Sequence, residues 1–418
     1  MDSQPVSLMT LSWWTKMRKN DTRSPFSNLI GKDPYSLFKG VKTPSFIIDE
    51  AQLIYDGKIL KKVQEDTGCS ILLAQKAFSN YDLYPLLENF VAGTEASGLY
   101  EARLGKEEMP NKEVHVFCGA YREEEFEEIL TYADHFVFNS VNQFKKYAKR
   151  AKEAGKSVGL RVNPECSTQV GHDIYNPCAP GSRLGVTVKA FEEGMGIEEL
   201  KLLDGIHFHT LCQQNSDDLA KTLKAVEAKF GKYMHNLKWV NFGGGHHITR
   251  DDYDIALLEE CIKHVQSTYG VHVYLEPGEA IVLNAGYLVT KVLDTFDNGD
   301  THIAILDTSA ACHMPDVVEM PYLPPLYQSD LEGYGYKIRL GSQTCLSGDV
   351  IGDYNFEGPL KEGDMLIFGD MALYTTCKTN TFNGMPLPDI LLLHEDGSIE
   401  TLASFGYEDF KHRLGKAE

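Results

Sequence analysis

A single lysine closes the apolar stretch Ser70-Ile-Leu-Leu-Ala-Gln-Lys76, and three later clusters follow short apolar runs in the same way: His207-Phe-His209, Gly243-Gly-Gly-His-His247 and Glu276-Pro-Gly-Glu279. Lysine is among the residues least often fully buried, so one placed at the end of a buried strand marks a partner for its amine. A glycine triplet between strand and helix leaves backbone N–H groups directed at one spot, which suits a phosphate. A glutamate at the end of the neighbouring strand faces a ring nitrogen, a histidine stacks on a ring face, and a lysine amine condenses with an aldehyde. Phosphate, ring nitrogen, ring face and aldehyde together describe pyridoxal phosphate. Glu276 would keep the pyridine nitrogen protonated, so that the ring accepts the electron pair released at a substrate α-carbon.

Such residues need a scaffold that brings strand ends together. Short apolar runs occur at 71–75, 90–94, 114–118, 135–138, 158–162, 205–209, 238–242 and 272–276, with helical spacing at 122–130, 141–151, 217–232 and 253–269 between them. Eight β runs alternating with helices predict an α/β fold, a (β/α)8 TIM-type barrel, with an open doubly wound sheet as the competing architecture. Barrel chemistry sits at the C-terminal ends of the strands. Lys76, Glu95, Arg161, the 207–209 histidines, the glycine triplet and Glu276 all fall there. His207 and His209 alternate along one run and are expected to face opposite ways, with His209 in the mouth and His207 structural.

Beyond residue 285 the texture changes to β segments without long helices, at 287–292, 302–307, 336–340, 365–368 and 390–394. The expected organisation is an N-terminal extension over 1–40, partly disordered or packed on a β domain; a barrel over 41–285; and a C-terminal β-rich domain over 286–418. The strand near 44–49 is expected to join the β domain.

Across 418 residues, 40 Lys and Arg stand against 60 Asp and Glu, a net charge of -20. That balance disfavours nucleic acid and anionic membrane surfaces and draws in cationic small molecules. Nine cysteines, an odd number without any CxxC pair, fit reduced thiols and a cytoplasmic location. No apolar run reaches the roughly 18 residues of a membrane span. The 123–128 acidic run reads as a solvated helix face.

These motifs are arranged like those of the alanine racemase-fold, pyridoxal phosphate-dependent decarboxylases, the group of the ornithine and diaminopimelate enzymes. The resemblance covers roughly residues 40–410. Gly341-Ser-Gln-Thr-Cys345-Leu-Ser-Gly-Asp349 is similar to the family's loop carrying an active-site cysteine across a dimer interface, and Gly369-Asp-Met-Ala-Leu-Tyr374 to its late tyrosine segment. Within the group, His207-Phe-His-Thr-Leu-Cys-Gln-Gln214, Phe242-Gly-Gly-Gly-His-His-Ile248, Asn176-Pro-Cys-Ala-Pro-Gly-Ser-Arg-Leu-Gly185 and the 307–319 segment most resemble the carboxynorspermidine and carboxyspermidine decarboxylases of polyamine biosynthesis.

The resemblance implies a homodimer with shared active sites, in which Lys76 is the Schiff-base lysine, His209 stacks on the ring and Glu276 meets the pyridine nitrogen. It further implies that Gly243, Gly244, Gly245 and Tyr374 hold the phosphate, that Arg161 lies near the ring, and that Cys345 acts from the partner subunit. Asp307 and Asp349 would receive distal amines of the substrate. One position departs from the pattern: the ornithine enzymes have a phosphate-contacting arginine after Glu-Pro-Gly, whereas here Glu279 stands there. The phosphate then needs another donor, His246 or a backbone amide, and Glu279 is free to face a substrate ammonium. A mouth lined by Glu279, Asp307, Asp316, Glu319 and Asp349 suits a cationic carboxylated polyamine.

Rival readings leave more unexplained. A zinc hydrolase built on His207, His209, His246 and His247 gives no role to Lys76, the glycines or the β-rich tail, so no metal is expected. A non-catalytic relative would not need Lys76, Glu276, Cys345 and Tyr374 together, and a racemase needs a second base opposite Lys76. An ornithine- or diaminopimelate-type decarboxylase is the alternative within the same fold.

Overall fold

The computed structural model describes residues 24–169 and 176–416, so the expectation for the first 23 residues lies outside it. Two compact units emerge: one is contiguous, Tyr55–Ile281, and the other joins the two ends of the chain, Met1–Ile54 with Val282–Glu418.

The contiguous unit is a closed barrel of eight parallel strands: β2 (Ser70–Ala74), β3 (Gly93–Ala96), β4 (Glu113–Phe117), β5 (His135–Phe138), β6 (Ser157–Arg161), β7 (Gly205–His207), β8 (Trp239–Asn241) and β9 (His272–Leu275). β9 closes on β2 through Ser70↔Tyr274 and Ile71↔Leu275. The doubly wound alternative is thereby excluded. Helices such as Val141–Glu153, Ser216–Met234 and Ile255–Tyr269 alternate with the strands. Val141–Glu153 shows the local logic: the Ser140 side chain accepts from the Gln143 N–H at its start, and Phe144, Tyr147, Ala148 and Ala151 form the buried stripe. β3 begins three residues later than the apolar run suggested, which places Glu95 inside a strand.

The second unit is a mixed sheet in the order β13 (Val350–Phe356), β12 (Tyr336–Ser342), β11 (Thr301–Leu306), β10 (Gly286–Asn298), β1 (Ser45–Asp49), β15 (Asp389–Leu393) and β16 (Ile399–Ala403), with β14 (Met365–Gly369) pairing β10. The strand expected near 44–49 lies in this sheet, antiparallel to β10 and parallel to β15. Leu29, Phe38, Ile47, Tyr287, Val289, Ile367, Leu391 and Leu393 make its core. No helix among the described residues is long and apolar enough to cross a membrane.

Candidate active site

Lys76 lies two residues past β2, in a turn over residues 75–77, and is exposed between the buried Gln75 and Ala77. Gln75 pins that turn. Its N–H donates to Glu95 O at 3.1 Å, its Nε2 to Glu101 O at 2.8 Å, and its Oε1 accepts from the Tyr84 hydroxyl at 3.0 Å.

Glu276 directly follows β9 and is 5% exposed. Its Oε2 pairs with His207 Nε2 at 2.9 Å, and its Oε1 accepts from Asn241 Nδ2 at 2.6 Å. Burial pushes its carboxyl up, but His207, with His115 and Lys76 adding to it, overrides burial and brings the pKa down to about 2. Burial lowers the pKa of His207 against the pull of Glu276, so a neutral ring donates its Nε2–H to an ionised carboxylate. Glu95, buried at the end of β3, is the opposite case. Burial raises its carboxyl to about 8, with Lys76 pulling down and Glu276 pushing further up, and its Oε2 has no hydrogen-bond partner. Two neighbouring carboxyls thus hold different protonation states near neutrality.

His207 ends β7 and His209 lies just past it, yet His207 pairs with Glu276 and His209 with the glycine loop, so the expectation that they point to opposite sides is corrected: both belong to the mouth. His209 Nδ1 accepts the Gly244 N–H at 3.2 Å, which leaves the ring proton on Nε2, and burial keeps its pKa well below the ordinary value. Arg161 ends β6 with its guanidinium 4.7 Å over the Phe117 ring, and burial lowers its pKa to about 10. Phe117 in turn stacks on His207, with ring centroids 5.6 Å apart.

The glycine loop is bare in part. Gly243 N–H donates to Asn241 Oδ1 at 2.8 Å and Gly244 N–H to His209, whereas the N–H groups of Gly245 and His246 have no acceptor among the described residues. Gly245 has φ +83°, and a Cβ there would lie 2.1 Å from Leu211 O. Two adjacent free amides beside an exposed lysine, a neutral histidine and an ionised glutamate fit pyridoxal phosphate. The His246 ring itself is buried, with Nε2 3.4 Å from Phe242 O. Glu279 is held by Gln213 Nε2 at 2.7 Å and His247 Nε2 at 2.9 Å.

The β domain carries the remaining expected residues. Asp307 accepts from Thr290 Oγ1 at 2.5 Å and Lys291 N at 3.0 Å, both through Oδ1, and Oδ2 has no partner among the described residues. Asp349 is otherwise: Ser309 and Thr344 donate to Oδ2, and Ala311 N and Ser342 to Oδ1. Four donors fill a carboxylate. The expectation that Asp349 receives a substrate amine is therefore corrected; it ties the 309–311 and 342–349 segments together. Asp316 and Glu319 share Lys378, at 2.5 and 2.6 Å, so that one of their two charges is met within the domain. Cys345 is exposed, its N–H donating to Asn383 Oδ1 at 2.9 Å. Tyr374 is half-buried with a left-handed backbone, φ 53°.

Sequence reasoning overlooked Asn241, which clamps Glu276 with one end of its amide and the Gly243 N–H with the other. A polar residue closing the buried run before Phe242-Gly-Gly-Gly was the available signal.

Residues 43–372 match the family described as "Pyridoxal-dependent decarboxylase, C-terminal sheet domain". The chain belongs to the pyridoxal-dependent decarboxylases. Its barrel and separate sheet are the alanine racemase-type fold of that family, and pyridoxal phosphate is its cofactor, as the sequence led us to expect. Among these decarboxylases, carboxynorspermidine/carboxyspermidine decarboxylase of Campylobacter jejuni is 39% identical over 388 residues, 90% of this chain and 99% of that protein. Carboxyaminopropylagmatine decarboxylase of Synechocystis is 38% identical over 375 residues, 89% of this chain and 95% of that one. The crystal structure of carboxynorspermidine decarboxylase complexed with norspermidine, from Campylobacter jejuni, aligns with a TM-score of 0.81 at 38% identity, covering 89% of this chain and 100% of that one.

Proposed function

We propose that this decarboxylase acts on carboxynorspermidine or carboxyspermidine and releases norspermidine or spermidine, as a homodimer in the cytoplasm. The observation that carries it is the 39% identity, over 90% of the chain, to a decarboxylase named for those substrates. The mouth agrees: a carboxylate, Glu279, stands where a second substrate carboxylate would be repelled and an ammonium attracted.

Lys76 would hold the cofactor through its Nζ. Bound pyridoxal phosphate supplies the electron sink for the pair left on the α-carbon when CO2 departs. Glu276, ionised and clamped by His207 and Asn241, holds a proton on the pyridine nitrogen. His209 would present a neutral ring face with Arg161 nearby, and the Gly245 and His246 amides, with Gly243, Gly244 and Tyr374, would hold the phosphate. Cys345, contributed by the second copy, gives its Sγ proton to the α-carbon. Asp307 and Glu279 receive the distal amines. Nine cysteines outside any disulfide accord with the cytoplasm.

A second reading has its own observation, the 38% identity to an enzyme named for carboxyaminopropylagmatine, whose tail ends in a guanidinium. Purified protein assayed for CO2 release against carboxynorspermidine, carboxyspermidine, carboxyaminopropylagmatine, ornithine and diaminopimelate separates them. The first two should be turned over fastest, within about 10- to 200-fold of each other since they differ by a methylene. Preference for ornithine or diaminopimelate would overturn the substrate assignment.

A further inference from the structure

A cavity of about 480 Å3 opens on the β domain. The residues that line it include Tyr35, Tyr327, Tyr334 and Phe356, with Glu357 and Asp364 beside them. Among the described residues that line it there is no lysine, arginine or histidine. Tyr35 and Tyr327 meet edge to face, with centroids 5.9 Å apart, and Phe26 braces Tyr327 from the other side at 5.3 Å. Asp364 Oδ2 accepts the Lys361 N–H at 2.7 Å, which aims the carboxylate, and neither Asp364 nor Glu357 forms an ion pair among the described residues. On the rim, Gln328 adopts a left-handed backbone, φ 55°, a conformation a non-glycine residue holds only where its surroundings enforce it.

Rings that offer negative π faces, beside carboxylates without counter-ions, describe a receptor for an organic ammonium. An anion would meet two like charges, and a neutral apolar ligand would leave both carboxylates without a partner. The volume lies in the range of small-molecule sites. Burial raises the Tyr35 hydroxyl to about 12, with Tyr327, Asp364 and Tyr334 adding to it, in keeping with a negative local field.

We infer that this pocket is a second ligand site, which takes an ammonium end of an aliphatic polyamine between the tyrosine rings and the Glu357 and Asp364 carboxylates. The lining selects an organic ammonium, and the choice of an aliphatic polyamine rests on the proposed substrate class. A polyamine-responsive site on the non-barrel domain would let product or pool amine bind without competing for the mouth.

The test is isothermal titration of the full-length, cofactor-loaded protein with spermidine, with turnover measured in parallel. Two classes of site per chain are expected. In the isosteric double variant E357Q/D364N one class should weaken about tenfold or more while the other class and kcat stay as they were. Tyr334→Leu, which removes a ring but no charge, should weaken the same class about fivefold. No spermidine binding, or binding in which every class is indifferent to both variants, overturns the inference. Because binding is read directly, a wrong substrate assignment would change the turnover data and leave this result standing.

Discussion

The two ends of the barrel hold similar residues and put them to different uses. At the strands' N-terminal ends lie Glu113, His115, His135, His272, Tyr274 and Trp239; at the C-terminal ends lie Glu95, Glu276, His207, His209, Arg161 and Lys76. On the floor, most polar groups pair with or cover one another, and of these floor residues only His115 and His135 keep a buried atom, Nδ1, without a partner. His115 and His135 stack at 4.0 Å, His115 Nε2 meets Glu113 at 3.0 Å, His272 meets Ser70 at 2.9 Å, and Trp239 donates to Ser157 at 2.8 Å. The Trp239 indole fills the space over Gly159 and Gly205, where a Cβ would sit 2.3 and 2.1 Å from it. Glu113, His115 and His135 bring possible metal-ligand atoms within 4.8 Å of one another, but lone pairs in two nearly parallel ring planes do not converge on one ion. The mouth instead keeps an exposed lysine and two amides without an acceptor among the described residues. Residue type does not distinguish the ends; what each end leaves unspent does.

The sharpest way to break that contrast is at Lys76. Lys76→Ala should lose the cofactor's visible absorbance and at least about 1,000-fold in kcat; retained turnover would mean that the mouth works without its amine. Next comes the clamp: Asn241→Ala should cost about 10- to 100-fold in kcat/KM with the cofactor still bound, because it orients Glu276 without touching substrate. The floor should answer differently. Trp239→Ala should cost about 3–5 kcal/mol of stability, read as a lowered urea midpoint, with kcat per folded molecule nearly unchanged. The smallest effect concerns pH. Burial, with His115 adding, lowers His135 to about 3, whereas an unfolded imidazole protonates near 6.5. Stability from this residue is therefore complete above pH 6.5 and drains away as the pH falls toward 3. The urea midpoint should drop between pH 7 and 4.5, and His135→Phe should flatten the drop.

Most of the barrel was legible because parallel strands buried on both faces leave continuous apolar runs, and the catalytic clusters follow those runs directly. Two β-domain strands were not legible. Val350–Phe356 and Ile399–Ala403 are the outermost strands of the sheet order, and Gly352, Asp353 and Asn355 or Glu400 and Thr401 interrupt them. An edge strand has one side in water and tolerates such residues, so its pattern reads as loop. At the site, Lys76, Glu276 and the glycines announced themselves by type and place. Asn241 and Asp349 did not, because their roles lie in which partners they hold, and partners come from distant segments. Asp349 looked like a substrate carboxylate until its four donors were in view, and the His207 error was one of strand parity rather than chemistry.

The β domain is sewn from both ends of the polypeptide, and a ribosome makes those ends at different times. Strand β1, all five residues buried in the finished fold, leaves the exit tunnel before any of the barrel. Its parallel neighbour β15 comes near the end; Lys42 finds Asp389, 347 positions downstream, at 2.9 Å. At about 5–20 residues per second, that wait is roughly 17–70 s. The contiguous barrel has time to close meanwhile, leaving an apolar strand with an open edge, the kind of surface that chaperones bind and aggregation recruits. Slowed translation between the barrel and β15 should therefore lower the yield of this enzyme even where every contact of the finished protein is left intact.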